Sequence, residues 1–143
     1  MFHKITSVTP LPEFHLLVHF MDGSSRDYDM NPLFQTFPVF SQLRDIPNLF
    51  NQVVVDVGGY GISWNDDIDL DGSELWENGV PVQTPFDGLL SFSDATSLWG
   101  LNESTLRKAV CYGKFKQGID VLKFGKQWVV TKAAMLREYG NPN

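Results

Sequence analysis

The sequence predicts an α+β protein made of two modules. Residues 1–80 are predicted to form an antiparallel sheet with short helices, because strand-like runs alternate there with turn signals. Residues 89–143 are predicted to form a winged helix-turn-helix, because two short helical patterns are followed by a hairpin pattern and a last helix. Residues 81–88 contain proline and glycine and have no helical period, and we interpret them as a linker.

The composition excludes several classes of protein. Of the 143 residues, 43% are hydrophobic and 13% are aromatic, which is enough for packed cores and too much for a disordered chain. No apolar run has the length of a transmembrane helix, and no signal-peptide pattern opens the chain, so we expect no membrane association. The single cysteine, Cys111, has no partner for an internal disulfide, so we expect a cytoplasmic protein.

The charge differs sharply between the two halves. The whole chain has a formal charge of −6, which by itself argues against nucleic acid as a partner. Residues 1–88 contain three basic and 13 acidic side chains, a net charge of −10, whereas residues 89–143 contain eight basic and four acidic ones, a net charge of +4. This asymmetry predicts two modules with different partners.

The first module is predicted to be a meander. Residues 5–8 form a first strand, and residues 15–20 and 25–29 flank an Asp-Gly pair, which is a strong hairpin signal. Further along, residues 52–57 and 62–64 predict two more strands on either side of a glycine-rich turn.

Two helical regions complete this module. Asn31 and Pro32 predict a helix start, and an aromatic pattern follows that ends near Pro47, so we expect one or two short helices there. Leu75 and Trp76 predict a final short helix, capped by Asp71 or Ser73.

A set of residues in this module follows a known pattern. It comprises the Asp22-Gly23 hairpin together with Ile5, Val8, Pro10, Asp56, Gly59, Tyr60, Gly61, Ile62, Trp64, Asn65, Asp69, Leu70, Leu75, Glu77 and Gly79. With these residues, roughly residues 2–80 resemble a small bacterial domain, domain of unknown function 2442. The resemblance implies an α+β fold that is often found beside or fused to helix-turn-helix modules. It implies no activity, because none is established for the family.

The acidic stretch from Asp66 to Glu77 imitates a calcium loop. Asp67, Asp69 and Asp71 followed by Gly72 match the start of an EF-hand loop, but the twelfth position is Asn78 instead of the bidentate glutamate. We therefore predict solvated carboxylates at the start of a short helix, and no metal site.

Signals for an enzyme are few. His15 and His19 are predicted to share one face of a strand, where they either bind a metal with Asp27 or Asp29 or form an exposed polar face, and we favour the polar face. The sequence contains no phosphate-binding loop, nucleophile elbow or zinc spacing. We expect no cofactor and no enzymatic activity.

The second module carries the clearest pattern. Residues 89–92 predict an edge strand. Ser93 predicts the N-cap of a helix that Gly100 ends, and Asn102 predicts the cap of a second helix that Gly113 ends. Two short helices joined by a glycine-containing turn are typical of a helix-turn-helix.

A hairpin and a third helix follow these two helices. Residues 121–124 and 127–130 predict two strands joined at Gly125 and Lys126, in the position of a wing, and Thr131 predicts the cap of the last helix.

The order of these elements resembles the winged helix-turn-helix of excisionase and MerR-type proteins. The residues that carry the match are Ala95, Leu98, Gly100, Leu101, Ser104, Thr105, Leu106 and Arg107. Leu98-Trp99-Gly100, Trp128 and Tyr139-Gly140 resemble a small bacterial helix-turn-helix family even more closely, over about residues 89–140. The resemblance implies DNA binding, commonly in regulators or antitoxin-like proteins.

Eight residues are predicted to contact double-stranded DNA. Ser104 and Arg107 lie on the first two turns of the second helix, where a recognition helix reaches base edges, and Lys108 lies beside them. The other five follow this helix or flank the hairpin: Lys114, Lys116, Lys123, Lys126 and Gln127. Glu103 opposes this reading, because a carboxylate at the start of a reading helix repels phosphates.

Three functions are consistent with the sequence. The leading hypothesis is a DNA-binding transcriptional regulator, antitoxin-like, whose acidic module binds a basic protein such as a toxin. It includes a homodimer, for which the candidate surfaces are the N-terminal sheet edges and an aromatic set. That set comprises Phe34, Phe37, Phe40 and Phe50. The alternatives are a protein-interaction adaptor without DNA binding and, last, a metal-dependent enzyme that uses His15, His19 and residues 67–71.

Overall fold

The computed structural model describes residues 2–142 and divides the chain into two compact units, residues 1–85 and 86–143. Both contain sheet and helix, so the protein is α+β as predicted. No helix in the described part of the chain is both long and apolar enough to cross a membrane.

The described residues of the N-terminal unit form two antiparallel sheets and three short α-helices. Its elements, in chain order, are β1 (Ile5–Leu11), β2 (His15–Phe20), β3 (Ser25–Asp29), α1 (Asn31–Thr36), α2 (Gln42–Asp45), β4 (Val54–Val55), β5 (Gly61–Ser63), β6 (Asp69–Asp71), α3 (Gly72–Asn78) and β7 (Val80–Val82). The larger sheet has the order β1-β2-β3-β7, and the smaller one has the order β4-β5-β6.

The larger sheet is half-buried, as the alternation along β2 requires. Leu16, Val18 and Phe20 are buried, whereas His15 and His19 lie on the opposite face and are partly exposed. The predicted hairpin at residues 21–24 joins β2 to β3, so the Asp-Gly signal is confirmed. β1 continues past the predicted end and includes Pro10. Proline has no backbone N–H to donate, and an edge strand such as β1 tolerates this because it has a partner strand on one side only.

Two predictions in this unit are wrong in detail. Residues 52–57 do not form one strand, because only Val54–Val55 pair with β5 and 3₁₀ turns flank them. Pro81 and Val82 pair with β3 in β7, so they belong to the sheet and not to the linker, because the free edge of β3 accepts their backbone. The prediction of one or two short helices after residue 31 is confirmed, since α1 and α2 form on either side of a 3₁₀ turn that begins at Pro38.

Two of the glycines that carry the family resemblance, Gly59 and Gly61, lie too close to neighbouring backbone for a larger residue. Gly59 has a φ of +73°, and a Cβ atom built there would lie 2.6 Å from the carbonyl oxygen of Ile5. At Gly61 a Cβ atom would lie 2.4 Å from the carbonyl oxygen of Leu70. Only glycine lets the turn approach both strands so closely, so these positions are needed for the fold.

The aromatic set is part of the core and not a docking surface. Phe34, Phe40 and Phe50 are buried, and only Phe37 is about half exposed, so this candidate surface for a homodimer is wrong. Phe50 packs against Trp64, and Phe34 and Phe40 belong to the same buried cluster, so the core needs their volume.

The C-terminal unit has the predicted order of elements. They are β8 (Leu89–Ser91), α4 (Phe92–Trp99), α5 (Glu103–Cys111), β9 (Val121–Phe124), β10 (Gln127–Thr131) and α6 (Lys132–Tyr139). The sheet has the order β8-β10-β9, with antiparallel neighbours. The core of this unit is formed by Leu90, Phe92, Ala95, Trp99, Leu106, Ala109, Phe115, Val121, Val130, Ala134 and Met135.

The first helix of this unit begins two residues earlier than predicted. Its N-cap is Ser91, whose Oγ accepts a hydrogen bond from the backbone N–H of Asp94 at 3.0 Å, so the prediction of Ser93 is wrong. The reason is Phe92, which is buried and packs in a stack with Trp128 when it occupies the first turn.

Candidate nucleic-acid interface

The candidate interface is built on α4 and α5. Gly100 ends α4 in the left-handed conformation with a φ of +67°, and the backbone N–H of Leu101 donates to the carbonyl of Thr96. Asn102 is the N-cap of α5, although its side chain makes no capping hydrogen bond. Residues 100–102 therefore form the tight turn of a helix-turn-helix.

The outer face of α5 is free for a ligand. Leu106 and Ala109 are buried against the core, so the residues between them point away from it. Ser104, Arg107 and Lys108 are exposed, as predicted for the reading face of a recognition helix.

Glu103 pairs with the arginine of this face. The Arg107 guanidinium donates to the Glu103 carboxylate at 2.8 Å, across one turn of the helix, and both side chains are well exposed. An exposed pair at this spacing contributes only about 0.3–0.5 kcal/mol, so a guanine or a phosphate can compete for the guanidinium. Glu103, which we expected to repel DNA phosphates, therefore forms a local ion pair with Arg107.

The wing is the hairpin of β9 and β10. Its two-residue turn has Gly125 at a φ of +60°, which is the glycine position of a type II′ turn. Lys123, Lys126 and Gln127 are all exposed there. The Lys123 ammonium lies 5.8 Å from the centroid of the Trp128 ring.

Lys114 and Lys116 flank a buried anchor in the loop after α5. Phe115 between them is 1% exposed, so its burial holds the two lysines at the surface on either side. The Lys114 ammonium lies 4.6 Å from the centroid of the Tyr139 ring. The loop is therefore an ordered basic segment.

Asp120 holds this loop in place, and the sequence analysis missed it. Its carboxylate is nearly buried and accepts hydrogen bonds from the backbone N–H of Lys116 at 3.0 Å and from both terminal nitrogens of Arg137, at 2.9 and 3.1 Å. Two contacts hold the pKa of Asp120 below its ordinary value. The larger effect comes from the hydrogen bonds of the Arg137 guanidinium, and the next largest from the hydrogen bond of the Lys116 N–H. No local signal marks the pair, because its members are separated by 16 residues and lie in a loop and in α6.

Comparison with known protein families identifies both units. Residues 83–143 match a family described as a helix-turn-helix domain, and residues 5–81 match a family described as a protein of unknown function, DUF2442. The chain belongs to the DUF2442 family. Both resemblances found in the sequence are confirmed, and the helix-turn-helix domain supports DNA as a partner. No curated protein and no solved structure matches the chain.

The DUF2442 domain has a groove beside β3. Tyr28 is 4% exposed and donates its hydroxyl hydrogen bond to Glu74 at 2.7 Å, and burial raises the pKa of Tyr28 far above its ordinary value. At the same groove the Nδ1 atom of His15 lies 2.6 Å from Asp27, and its Nε2 atom lies 3.6 Å from Asp29.

The hypothesis of a metal centre in this domain finds no support in the described residues. His19 lies on the predicted face with His15, but its Nδ1 atom lies 2.8 Å from the Ser25 hydroxyl. Within residues 2–142 no three His, Cys, Asp or Glu side chains are grouped to hold a metal. In the segment that imitates a calcium loop, Asp69–Asp71 form β6, which pairs with β5, and α3 follows from Gly72.

The pair of His15 and Asp27 predicts a pH dependence of stability. The hydrogen bond to Asp27 raises the pKa of His15 above its ordinary value of 6.5, so the folded state favours the protonated ring. This contribution is complete below the unfolded pKa and is lost as the pH rises through the folded pKa. Between pH 6 and 8 the melting temperature of the N-terminal unit should therefore fall by roughly 1–3 °C more in the native protein than in Asp27→Asn. Asp45→Asn, on an exposed helix, should melt like the native protein, and equal slopes in all three would refute the prediction.

Proposed function

We propose that the protein is a DNA-binding transcriptional regulator that acts by binding and not by catalysis. The observation that carries the proposal is that all eight residues predicted to contact DNA are exposed on α5, on the loop after it and on the wing. They are Ser104, Arg107, Lys108, Lys114, Lys116, Lys123, Lys126 and Gln127. The match to a helix-turn-helix domain supports the same conclusion.

Each part of this surface has a distinct task. Arg107 pairs with the O6 and N7 atoms of a guanine, and Ser104 contacts a neighbouring base or sugar. Lys108 binds a phosphate next to the recognition helix. The lysines of the loop and of the wing bind further phosphates and hold the recognition helix in register, so they add affinity without sequence preference.

The acidic unit is proposed to bind a basic protein. Residues 1–88 have a net charge of −10, and complementary charge speeds the encounter with a basic partner and excludes acidic ones. A basic toxin fits this chemistry, and the protein would then be antitoxin-like, with one unit on DNA and the other on the toxin.

Salt dependence tests the DNA-binding step. If three to five basic side chains bind phosphates, the logarithm of the association constant should fall against the logarithm of salt concentration with a slope of roughly −3 to −4.5. The measurement is fluorescence anisotropy of the full chain on a labelled duplex, titrated with potassium chloride. A single-stranded oligonucleotide of the same length is the control and should give a shallower slope. Absent binding at low salt would refute the proposal.

One observation favours a second candidate, a protein-interaction adaptor. Glu103 occupies the Arg107 guanidinium in the free protein, and an ion pair on the reading face is equally suited to a protein surface. The two candidates differ in a capture experiment with the full chain immobilised. A regulator retains duplex DNA at low salt, whereas an adaptor retains a protein partner and no DNA.

A further inference from the structure

A groove in the N-terminal unit opens where β3 continues past the start of β7. β7 pairs only with residues 25–27, so Tyr28 and Asp29 extend beyond it, and residues of α1 and α3 form the sides of the groove. The groove has a volume of about 1030 Å³, which is the size of a large ligand site and leaves room for several residues of an extended chain. Its apolar walls are formed by Pro32, Leu33, Val80 and Val82.

The charged groups of this groove are acidic. It is lined by the carboxylates of Asp27, Asp29 and Glu74, and none of the described residues that line it is a lysine or an arginine. Glu74 is held in place, since its two oxygens accept hydrogen bonds from the Tyr28 hydroxyl at 2.7 Å and from the Asn78 amide at 2.9 Å. A cationic guest with an apolar stem therefore complements both the charge and the walls of the groove.

His15 leaves two hydrogen-bond acceptors side by side in the groove. Its Nδ1 atom lies 2.6 Å from an Asp27 oxygen, and because a carboxylate only accepts, the hydrogen of a neutral ring lies on Nδ1. The Nε2 atom is then an acceptor, and it lies 3.6 Å from an Asp29 oxygen. The second oxygen of Asp29 accepts no hydrogen bond from residues 2–142. This arrangement is complementary to a donor that has two N–H groups.

We propose that the groove binds an arginine side chain on an extended segment of a basic partner protein, with the guanidinium donating to both His15 and Asp29. The inference rests on the basic partner proposed for the acidic unit, and it names the site and the side chain of the contact. A guanidinium holds its N–H donors in a planar fork, so it reaches both acceptors at once, whereas a lysine ammonium is a compact point charge. The methylene stem of the side chain packs against the apolar walls.

The proton of His15 competes with this guest. The charged groups that act on the ring are Asp27 and Asp29 from β3 and Glu13 from the turn before β2, whereas Leu11, its partner on β1, is uncharged. The hydrogen bond to Asp27 is the largest of the effects that raise the pKa of His15 above its ordinary value. A protonated ring has an N–H on Nε2 and repels a guanidinium, so binding should strengthen as the pH rises through the folded pKa of His15.

Peptide titrations of the full chain at low salt test the proposal. The probe is a short fluorescein-labelled peptide in which arginine alternates with serine, so that its arginines lie on one face when it is extended. Two matched peptides carry lysine or citrulline in place of arginine, and citrulline has the shape of arginine without its charge. At pH 8 the arginine peptide should bind roughly threefold tighter than the lysine peptide and roughly tenfold tighter than the citrulline peptide. Equal binding of the arginine peptide and either matched peptide would overturn the proposal.

Two matched double variants locate the binding. Asp27→Asn combined with Asp29→Asn removes two charges from the groove and keeps the side-chain oxygens that accept hydrogen bonds in the native protein. It should weaken binding of the arginine peptide by roughly tenfold. Asp66→Asn combined with Asp67→Asn removes the same charge from exposed positions and should change the affinity by less than about twofold. Equal weakening in both would mean that net charge, and not the groove, attracts the peptide.

The pH profile separates proton competition from a merely structural role of His15. The affinity of the native protein for the arginine peptide should rise roughly fivefold from pH 6 to pH 8. In His15→Gln the affinity should be nearly constant over this range, because the competing proton is absent. A flat profile in the native protein, or the same rise in the variant, would contradict the proposed contact with His15.

Other occupants and a failure of the proposed function give distinct results. Spermidine that binds as tightly as the arginine peptide overturns the proposal in favour of a free polyamine. A native dimer that the Asp27 and Asp29 variant abolishes overturns it in favour of the basic unit of a second copy. Absent binding of the arginine peptide, together with salt-dependent binding of duplex DNA, overturns the groove and leaves the regulator intact. Peptide binding without DNA binding refutes the regulator and supports the groove.

Discussion

Replacing both Arg107 and Lys108 by alanine is expected to weaken binding to duplex DNA by about 10- to 100-fold at low salt. Loss of a bidentate arginine contact costs about 1–3 kcal/mol, and loss of a phosphate contact lowers the salt slope by about one. Both side chains are exposed on α5 beside a buried face, so their removal leaves the core untouched. The measurement is the anisotropy titration at two salt concentrations, with circular dichroism to verify the fold.

Two further variants separate the arginine's shape from its charge. Arg107→Lys keeps the positive charge but loses the planar fork, so it should retain most of the affinity for arbitrary DNA and lose preference among selected sequences. Lys4→Ala combined with Arg44→Ala removes the same charge from the N-terminal unit and should leave DNA binding within about twofold. Equal weakening by this control would mean that net charge and not the reading face determines binding.

The helix-turn-helix unit could be predicted because its signals are local. Gly100 ends α4, the helical spacing of Leu106 and Ala109 defines the inner face of α5, and Thr131 caps α6 with its Oγ accepting from the Ala134 N–H at 3.1 Å. The cap of α4 was wrong because Ser91 and Ser93 are equivalent as sequence signals. Only the burial of Phe92 in the tertiary core decides between them.

The structure of the N-terminal unit was harder to predict from the sequence, because it depends on strand pairing and packing between residues that are far apart in the chain. Pro81 and Val82 have the sequence pattern of a linker, yet they complete the sheet by pairing with Arg26 and Ser25. The phenylalanines after Asn31 have the spacing of either a core or an exposed patch. The packing of Phe50 against Trp64 and of Phe14 against Phe34 makes them core.

The candidate interface likewise has one part that could be predicted from the sequence and one part that could not. The identity of the exposed basic residues followed from helical spacing and from the position of the hairpin. The interactions that order them did not, since Asp120 and Arg137 meet only once α6 has packed back on the sheet.

Replacing Asp120 by alanine is expected to lower the free energy of unfolding of the C-terminal unit by about 2–4 kcal/mol. The substitution removes three hydrogen bonds to the Asp120 carboxylate. A hydrogen bond to a charged group contributes about 1.5–3 kcal/mol. The total lies well below their sum because the Arg137 side chain is half exposed and regains water. Hydrogen–deuterium exchange under denaturant resolves this unit from the other. Asp66→Ala, in the exposed acidic stretch, should leave the exchange of both units unchanged.

The Asp120 carboxylate should affect both the stability of the C-terminal unit at low pH and the affinity of the protein for DNA. Because the folded pKa of Asp120 lies below its unfolded value near 3.8, its contribution is present above that value and is lost as the pH falls through the folded pKa. The native C-terminal unit should therefore lose stability faster than Asp120→Asn as the pH falls below about 4. At neutral pH, Asp120→Asn should also weaken DNA binding, because the loop that presents Lys114 and Lys116 loses its anchor to α6. An Asp120→Asn protein with native stability and native affinity would show that the loop is held by the burial of Phe115 alone.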